Sequence, residues 1–419
     1  MGYKPNDRKV LIITGYYGQK HDIAAVRMRS LVKYLCKNSW QVFILYRQKD
    51  QQEDLSEVPS GLSIYKVKMP VILKDIKINK IYLRPMIWIM EALAAGLFYL
   101  KAVIQAEQII ANENISRILV SVPPLAPLII AGIIKRRKKQ IKIIEEIRDV
   151  IGGNEIYKTH SRIGNKAQEL FERVFIKYVD EFIYYSPLIE TTYLSKYKKH
   201  NDNISSGRML FRGYDHEMFR VTDKNVGRDP ELININYFGT FSTTRMPYYF
   251  LELFGGYVSV RPEAKHAFKI NFWSNLEGRC LEKAKSIVEN YGIKGNVIFN
   301  AMLPNEKAAE VMINSSINLI ITHRWGSDYA IPGKFYDYVG SGRPILAITN
   351  DKLLTKMIEA DRLGWVCPYD DKKTGIKVLD YIMGNKRQIN VNTHKVSTSK
   401  YSDMDYLAGV NSILSGDER

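Results

Sequence analysis

Short apolar runs alternate with longer stretches of helical periodicity along the whole chain. In the first half, the apolar runs predict buried strands at 9–14, 41–46, 62–67, 117–122, 141–147 and 181–185, with helices in the gaps. The first of these helices has an apolar face made by Met28, Leu31, Val32 and Leu35, and Arg27 and Arg29 lie on its other sides. Strands that alternate with helices are typical of a parallel sheet covered by helices on both faces. The first half is therefore predicted to be an α/β domain.

A polar, turn-forming stretch follows the first half. Arg212-Gly213-Tyr214-Asp215-His216 interrupts the apolar pattern and a charged segment continues to Glu231, so 212–232 is predicted to be a linker. Further strands are predicted at 233–238, 267–273, 296–300, 317–321, 344–348 and 364–366. The sequence thus predicts two doubly wound domains, 1–211 and 233–395, with a ligand cleft between them at the carboxyl ends of strands. The last segment, 396–419, contains a helical stretch from Asp403 to Leu414 that is expected to pack back on the first domain.

Composition narrows the class of protein. With 419 residues, 46% of them apolar and 25% charged, the chain can bury a large core and is not disordered. The cysteines, Cys36, Cys280 and Cys367, lack the spacing of a zinc site or of a disulfide framework, which favours a reducing cytoplasm. The polar start, 1–8, precedes a strand too short for the core of a signal peptide, so no export is expected.

One apolar stretch, 86–100, is long enough to raise the question of a membrane. It is interrupted by Glu91 and falls short of the ~18–20 residues needed to cross a bilayer. Trp88, Phe98 and Tyr99 would also suit a membrane surface. We interpret the stretch as a core helix and keep contact with a membrane surface as the alternative.

The net charge of +17 favours a negatively charged partner or substrate, which includes nucleic acid, anionic lipid and small anions. The densest basic cluster, Lys135 to Lys142, follows an apolar helical segment at 125–134. Its cations either stabilise the carboxyl end of that helix and face solvent, or form a patch for anionic lipid head groups on the inner face of the cell membrane. Nucleic acid is disfavoured, because the aromatic residues lie within apolar periodic segments and the sequence contains no recognised nucleic-acid motif.

The most informative segment follows the predicted strand at 317–321. Pro332 is well placed in the first turn of a helix, and Gly342 and Pro344 end that helix. A helix N-terminus presents free backbone N–H groups and a positive dipole end, so it can hold a diphosphate.

Two charged residues of this helix strengthen the hypothesis. Lys334 adds a full charge at the N-terminus, and Asp337, nearly one turn on, can accept hydrogen bonds from the two hydroxyls of a ribose. The alternative is an ordinary helix with a Lys–Asp surface pair. The segment favours an enzyme that uses a nucleotide sugar.

Several motifs along the chain share the order and spacing of one enzyme family. They are Gly15-Tyr16-Tyr17-Gly18 with Ala25–Leu31, Ser121-Val122-Pro123-Pro124, Glu146-Ile147-Arg148-Asp149, Arg212-Gly213-Tyr214-Asp215, Tyr237-Phe238-Gly239-Thr240, and Lys334-Phe335-Tyr336-Asp337-Tyr338 with Gly342-Arg343-Pro344. Together they resemble the GT-B glycosyltransferases, most nearly the family 4 enzymes of bacterial surface-polysaccharide synthesis. The resemblance covers nearly the whole chain, and it implies two Rossmann-like domains that face each other across a cleft.

The resemblance also implies site residues. The donor, a UDP- or GDP-sugar used as substrate with no further cofactor, would contact Gly239, Thr240, Arg245, Pro332, Gly333, Lys334 and Asp337. His323 is a further candidate because it ends the strand that leads to the helix, and the alternative is a structural or solvated histidine. The acceptor, a carbohydrate or a lipid-linked saccharide, would contact Gly15, Tyr16, Arg27, Arg148 and Asp149.

Three of these residues are candidates for catalysis. Breaking a sugar–diphosphate bond needs cations aimed at the departing oxygens, which Arg245 and Lys334 can provide. Asp149 would be the general base of an inverting enzyme, or would orient the acceptor in a retaining one. A metal is not required, since the only Asp-x-Asp, Asp403-Met404-Asp405, is better explained as a helix cap than as a magnesium site.

The sequence departs from the family at two places. Tyr329, beside Asp328, stands eight positions before Asp337 where the family usually has a second Glu, so the stereochemical outcome stays open. Thr240 stands where an Arg is common, which assigns stabilisation of the leaving group to Arg245, Lys334 and backbone N–H groups. Two other functions are compatible with the sequence: a nucleotide-sugar epimerase of the same fold, and a non-catalytic protein that binds anionic surfaces.

Overall fold

The chain forms two compact units in the computed structural model, residues 1–210 with 407–419 and residues 211–406. The structure describes residues 8–19, 22–48, 53, 55, 58–68, 84–151, 162–220, 229–324, 331–391 and 398–417. We call the two parts unit 1 and unit 2.

Unit 1 is built on a parallel sheet of seven strands in the order β3-β2-β1-β4-β5-β6-β7. The strands are β1 (Lys9–Thr14), β2 (Gln41–Gln48), β3 (Leu62–Lys68), β4 (Arg117–Val122), β5 (Lys142–Ile147), β6 (Glu181–Tyr184) and β7 (Arg208–Met209). The helices are α1 (Ile23–Lys37), α2 (Arg84–Glu113), α3 (Ala126–Arg137), α4 (Arg162–Ile176) and α5 (Pro187–Tyr197), with a 3-10 turn at Asp202–Ser206. The six predicted strands are confirmed to within two residues, whereas β7 was not predicted because two residues are too few to show a pattern.

Unit 2 is built on a parallel sheet of six strands in the order β10-β9-β8-β11-β12-β13. The strands are β8 (Ile233–Phe238), β9 (Phe268–Trp273), β10 (Val297–Asn300), β11 (Ile317–Ile321), β12 (Ile345–Ile348) and β13 (Gly364–Cys367), each within one residue of its prediction. The helices are α6 (His216–Arg220), α7 (Tyr248–Val260), α8 (Ala264–Ala267), α9 (Gly278–Asn290), α10 (Asn305–Asn314), α11 (Gly333–Gly340), α12 (Lys352–Ala360), α13 (Lys372–Gly384) and α14 (Lys386–Val391), followed by a 3-10 turn at Thr398–Tyr401. Helix α15 (Asp403–Ser415) starts in unit 2 and continues into unit 1.

The strand orders place a topological switch point in each sheet. Neighbours β1 and β4 in unit 1, and β8 and β11 in unit 2, are the strands from which the chain winds in opposite directions. In open α/β sheets, ligands bind at such a point beyond the carboxyl ends of the strands. The sequence-predicted donor residues follow β8 and β11, so the topology brings them to this edge.

Helix α2 contains the apolar stretch that raised the question of a membrane. The helix is 30 residues long, and Phe98 is buried as expected of a core helix, but Leu97 and Leu100 are exposed. No helix in the described part of the chain is both long enough and apolar enough to cross a membrane.

The basic cluster from Lys135 to Lys142 is partly engaged in ion pairs. Lys135 Nζ lies 2.8 Å from a carboxylate oxygen of Asp180 and also donates to the Ile141 carbonyl. Arg137 pairs with Glu107 at 3.0 Å and Lys142 pairs with Glu181. These contacts favour the interpretation in which the cations stabilise the local fold.

The buried carboxyl groups of unit 1 include those of Glu172 and Glu145. Glu172 on α4 is buried and accepts hydrogen bonds of 2.6 Å from Tyr193 and Tyr197. Glu145 on β5 is fully buried, and neither of its carboxyl oxygens has a hydrogen-bond partner among the residues that the structure describes. Burial, and then repulsion from Glu172, raise the pKa of Glu145 well above its ordinary value. The folded state therefore favours the protonated form of Glu145.

Substitution Glu145→Gln is expected to reduce the loss of stability with rising pH. Glu145 loses its proton at the ordinary pKa in the unfolded chain, whereas the folded chain retains the proton to higher pH. The contribution of Glu145 to the stability of the fold is therefore complete below the ordinary pKa, and it is lost as the pH rises from there towards the raised pKa of the folded chain. Each pKa unit between the unfolded and the folded chain corresponds to ~1.4 kcal/mol in the free energy of unfolding. The uncharged amide escapes this loss, so the variant should melt above the wild type at alkaline pH. Calorimetry across the pH range tests this against the exposed Glu282→Gln, and parallel curves for Glu145→Gln and wild type would contradict it.

Candidate functional site

In unit 2, the chain leaves β8 through a glycine that approaches the key helix. Gly239 has a φ of +105°, a conformation that favours glycine, and its N–H donates to the Trp273 carbonyl at 3.0 Å. A Cβ at this position would lie 3.3 Å from Lys334 Nζ. The turn after β8 and the start of α11 therefore lie against each other.

Lys334 joins the two elements. Its Nζ donates to the Phe238 carbonyl at 2.7 Å and lies 4.0 Å from the centre of the Tyr237 ring. Desolvation by the surrounding protein lowers the pKa of Lys334 well below its ordinary value, the Arg245 charge lowers it further, and Asp337 opposes the shift. An anion bound beside this ammonium would favour its charged form.

Arg212 lies against the first residue of α11. A Cβ added to Gly333 would come 2.0 Å from Arg212 Nη1, so a larger residue here would require the guanidinium to move from its present position. Pro332 provides no side-chain cap for the helix. A cation at the positive end of a helix is electrostatically unfavourable by itself. The arrangement becomes favourable when an anion contacts both the guanidinium and N–H groups of the first turn.

Asp337 lies on the second turn of α11 and is half-buried. Desolvation raises the pKa of its carboxyl group, the charge of Asp215 adds to the rise, and Arg212 and Lys334 oppose it. The carboxyl group thus lies within the electrostatic reach of two cations. As a carboxylate it can accept two hydrogen bonds from neighbouring hydroxyls.

Arg245 provides a third cation near β8. Its backbone closes a tight turn with Ser242, and its Nη2 donates to the Thr240 carbonyl at 2.9 Å. Its Nε is buried and has no hydrogen-bond partner among the described residues. Burial lowers the pKa of His323, and the charge of Arg245 lowers it further. The Nδ1 atom of His323 lies 2.5 Å from the Thr244 hydroxyl. Near neutral pH, His323 is therefore an uncharged group that can donate or accept a hydrogen bond.

The structure thus brings the predicted donor residues to one edge of the unit 2 sheet. They are Gly239, Thr240, Arg245, His323, Pro332, Gly333, Lys334 and Asp337. Tyr329 and Asp328 lie outside the described residues. Among the described residues, Arg212, Arg245 and Lys334 bring three basic side chains to this edge, which suits a substrate with more than one negative charge.

In unit 1, the loops after β1, β4 and β5 meet. A Cβ on Gly15 would come 2.6 Å from the ring of Pro124, so the two loops pack tightly. The Arg148 guanidinium lies 5.3 Å from the centre of the Tyr16 ring and donates to the Pro123 carbonyl. Asp149 accepts a hydrogen bond of 2.8 Å from the Val150 N–H. The Gly152-Gly153 loop that follows lies outside the described residues.

Glu146 organises the predicted acceptor-side cations. It is fully buried and accepts hydrogen bonds from Ser121 and Tyr185, and Arg27 Nη2 lies 3.5 Å from one of its oxygens. Burial alone would raise the pKa of Glu146, but the charges of Arg27 and Arg148 and the two hydrogen bonds outweigh it and lower the pKa. An ionised Glu146 therefore holds Arg27 over the Tyr185 ring, 4.6 Å from its centre.

Asp403, interpreted from sequence as a helix cap, contacts another segment. Its Oδ1 lies 2.8 Å from His216 Nδ1, and these atoms and a carboxylate oxygen of Asp215 lie within 4.8 Å of one another. The N–H of Met404 instead donates to the Ser402 hydroxyl at 3.0 Å. Among the described residues, this is the one group of side chains with the spacing of metal ligands, and the His216–Asp403 hydrogen bond already satisfies two of its members.

The overall architecture matches solved structures across the full length of the chain. A sucrose-phosphate synthase from Thermosynechococcus elongatus aligns over 97% of this chain and 98% of its own, with a TM-score of 0.66 and 13% identity. The Anabaena protein HepE in complex with UDP aligns over 97% and 100%, with a TM-score of 0.64 and 11% identity. The lipopolysaccharide outer core galactosyltransferase WaaB aligns over 98% and 100%, with a TM-score of 0.64 and 12% identity. The chain has the GT-B fold.

Comparison by sequence gives no match. No family model matches the chain, and no curated protein matches it in sequence. The GT-B fold explains why each unit has its own switch point, since each is a separate doubly wound sheet.

Two residues of these clusters were missed as site residues from the sequence. Arg212 was assigned to the linker, and only the contact with Gly333 shows that it lies at the start of α11. Glu146 had a signal, because two consecutive glutamates in an otherwise apolar strand must place a carboxyl group on each face of a buried sheet.

Proposed function

We propose that this protein is a glycosyltransferase that moves a sugar from a nucleotide-sugar donor to a carbohydrate or lipid-linked saccharide in surface-polysaccharide synthesis. The observation that carries the proposal is the start of α11, where Lys334 and Arg212 lie beside a helix end that has no side-chain cap. The GT-B fold and the UDP bound by HepE support a nucleotide donor. The likeness to WaaB supports a surface saccharide as acceptor.

In this proposal, unit 2 binds the donor. Arg212, Lys334 and the first N–H groups of α11 contact the diphosphate, and Asp337 accepts hydrogen bonds from the ribose hydroxyls. Arg245 reaches the diphosphate from the other side, and with Lys334 it stabilises the negative charge that grows on the leaving oxygen. His323 lines the sugar side as an uncharged group.

Unit 1 binds the acceptor. Arg27 and Arg148, held by Glu146 and Tyr16, contact the acceptor with Gly15, and Asp149 orients its attacking hydroxyl or removes its proton. We place the reaction in the cytoplasm, at the inner face of the cell membrane.

Donor binding is expected to raise the melting temperature of the protein. A ligand at 100 times its dissociation constant adds ~2.7 kcal/mol to the stability of the folded state. Gly333→Ala should weaken this binding about tenfold or more, because its Cβ displaces Arg212 and a charge-assisted hydrogen bond is lost. The matched control is Gly295→Ala, since a Cβ there meets nothing within 4 Å. Thermal-shift titration with UDP- and GDP-sugars measures both variants.

Three outcomes would count against the proposal. If no nucleotide sugar raised the melting temperature, the protein would not bind the proposed donor. Equal melting-temperature shifts for the two glycine variants would show that Arg212 does not contact the donor. Conversion of the nucleotide sugar to its epimer in the absence of an acceptor would show that the protein is a nucleotide-sugar epimerase.

A further inference from the structure

Unit 1 exposes apolar side chains on two of its helices. Leu97, Leu100 and Ile104 on α2, and Leu170, Phe171 and Val174 on α4, are between 38% and 55% exposed. They recur at helical spacing, so each helix presents its apolar residues as a stripe on the side away from the core. We call these six residues the α2–α4 face.

Both helices lie on the same side of the unit 1 sheet. The chain crosses from β3 to β4 through α2, from β4 to β5 through α3 and from β5 to β6 through α4, each time in the same direction along the sheet. Right-handed crossovers place all three helices on one side. Helix α3 contacts both neighbours and is itself mostly buried, so α2 and α4 form the outer surface on either side of it.

The same surface is positively charged. Lys101 is exposed on the stripe of α2, while Lys166, Arg173 and Lys177 are exposed beside Leu170 and Val174 on and just beyond α4. Glu169 is the one exposed acidic residue in the described part of α4. The cations therefore alternate with apolar side chains, where a solvated helix face would carry polar residues of both signs.

We propose that the α2–α4 face docks on the surface of an anionic lipid bilayer. Leucine, phenylalanine and valine side chains enter the boundary between head groups and acyl chains, and the lysines and arginine remain at the lipid phosphates. A second copy of the chain fits this surface poorly, because pairing the face with itself would bring like charges together. The basic cluster from Lys135 to Lys142 contributes less, since Lys135, Arg137 and Lys142 are paired within the protein.

Vesicle flotation with the full-length protein tests the proposal without any need for activity. The wild type is expected to bind vesicles of phosphatidylcholine mixed with phosphatidylglycerol, to bind pure phosphatidylcholine weakly, and to be released by salt. The double substitution Leu170→Ser with Val174→Ser should weaken binding about tenfold, because two inserting side chains are lost. Arg173→Gln with Lys177→Gln should weaken binding only to the anionic vesicles.

The matched control lies in unit 2. Val260→Ser with Ile298→Ser changes two side chains that are 60% and 44% exposed, and it should leave vesicle binding unchanged. Equal binding by the wild type and the Leu170–Val174 variant would overturn the proposal. So would a wild-type dimer that this variant converts to a monomer, because the face would then join two copies. The melting temperature of each variant shows that it is folded, and donor binding in unit 2 is unaffected by either result.

Discussion

Lys334→Met is expected to lower the turnover number for sugar transfer by about a hundredfold to a thousandfold, the usual effect of removing one group that stabilises developing charge. The Lys334 nitrogen is already fixed at the end of β8 by its 2.7 Å hydrogen bond to the Phe238 carbonyl. It therefore needs no rearrangement when negative charge grows on the leaving diphosphate. Methionine keeps most of the volume and cannot donate, so the folded state should survive while the chemical step slows. Steady-state rates with saturating donor measure the effect.

The control for this experiment is a lysine of the same unit. Lys285 on α9 is exposed, and Lys285→Met should leave the turnover number unchanged. Proton uptake on binding provides a second test. Desolvation holds the pKa of Lys334 well below its ordinary value, and a bound diphosphate would favour the charged form of the side chain. Calorimetric titration of UDP in buffers of different ionisation enthalpy should then show proton uptake in the wild type and none from this site in Lys334→Met. An unchanged turnover number in Lys334→Met would remove this residue from the site.

Asp337→Ala is expected to weaken binding of the nucleoside diphosphate by about tenfold to a hundredfold, because a carboxylate that accepts hydrogen bonds contributes ~1.5–3 kcal/mol. The loss should be specific to the pentose. The wild type is expected to bind UDP better than 2′-deoxy-UDP, and the variant should no longer distinguish the two. Because desolvation raises the pKa of Asp337, UDP affinity in the wild type should also increase as the pH rises through that value and the carboxylate forms.

Asp361 provides the comparison for Asp337. It lies in unit 2 on the far end of α12 and pairs with Lys400 at 2.6 Å, and Asp361→Ala should leave UDP affinity unchanged. Equal discrimination between UDP and 2′-deoxy-UDP in the wild type and Asp337→Ala would contradict the ribose assignment.

Most of the fold was predictable because its signals are local. Mainly apolar runs such as 117–122 and 233–238 match β4 and β8 to the residue, since a strand buried on both faces is rich in apolar residues. The two-residue strand β7 had no such signal. The interpretation of 86–100 as a core helix holds for Phe98, which is buried, and not for Leu97 and Leu100, which are exposed.

The predicted donor residues lie together for a related reason. Gly239 and Arg245 follow β8, His323 follows β11, and Lys334 begins the next helix, so a parallel sheet must gather them at one edge. Arg212 could not be found in this way. It precedes the strands of unit 2, and its contact with Gly333 depends on how the segment before β8 folds against α11.

The sequence by itself determined the alternation of strands and helices, the division into two doubly wound halves and the position of the helix that begins after Pro332, because each depends on residues close together in the chain. Tertiary structure decided what the charged side chains contact: Lys334 the Phe238 carbonyl, Arg212 the start of α11 at Gly333, and Arg27 the carboxylate of Glu146. It also decided which apolar residues stay exposed on α2 and α4. Burial and electrostatic interaction depend on distances between segments remote in sequence, and only the folded chain sets those distances.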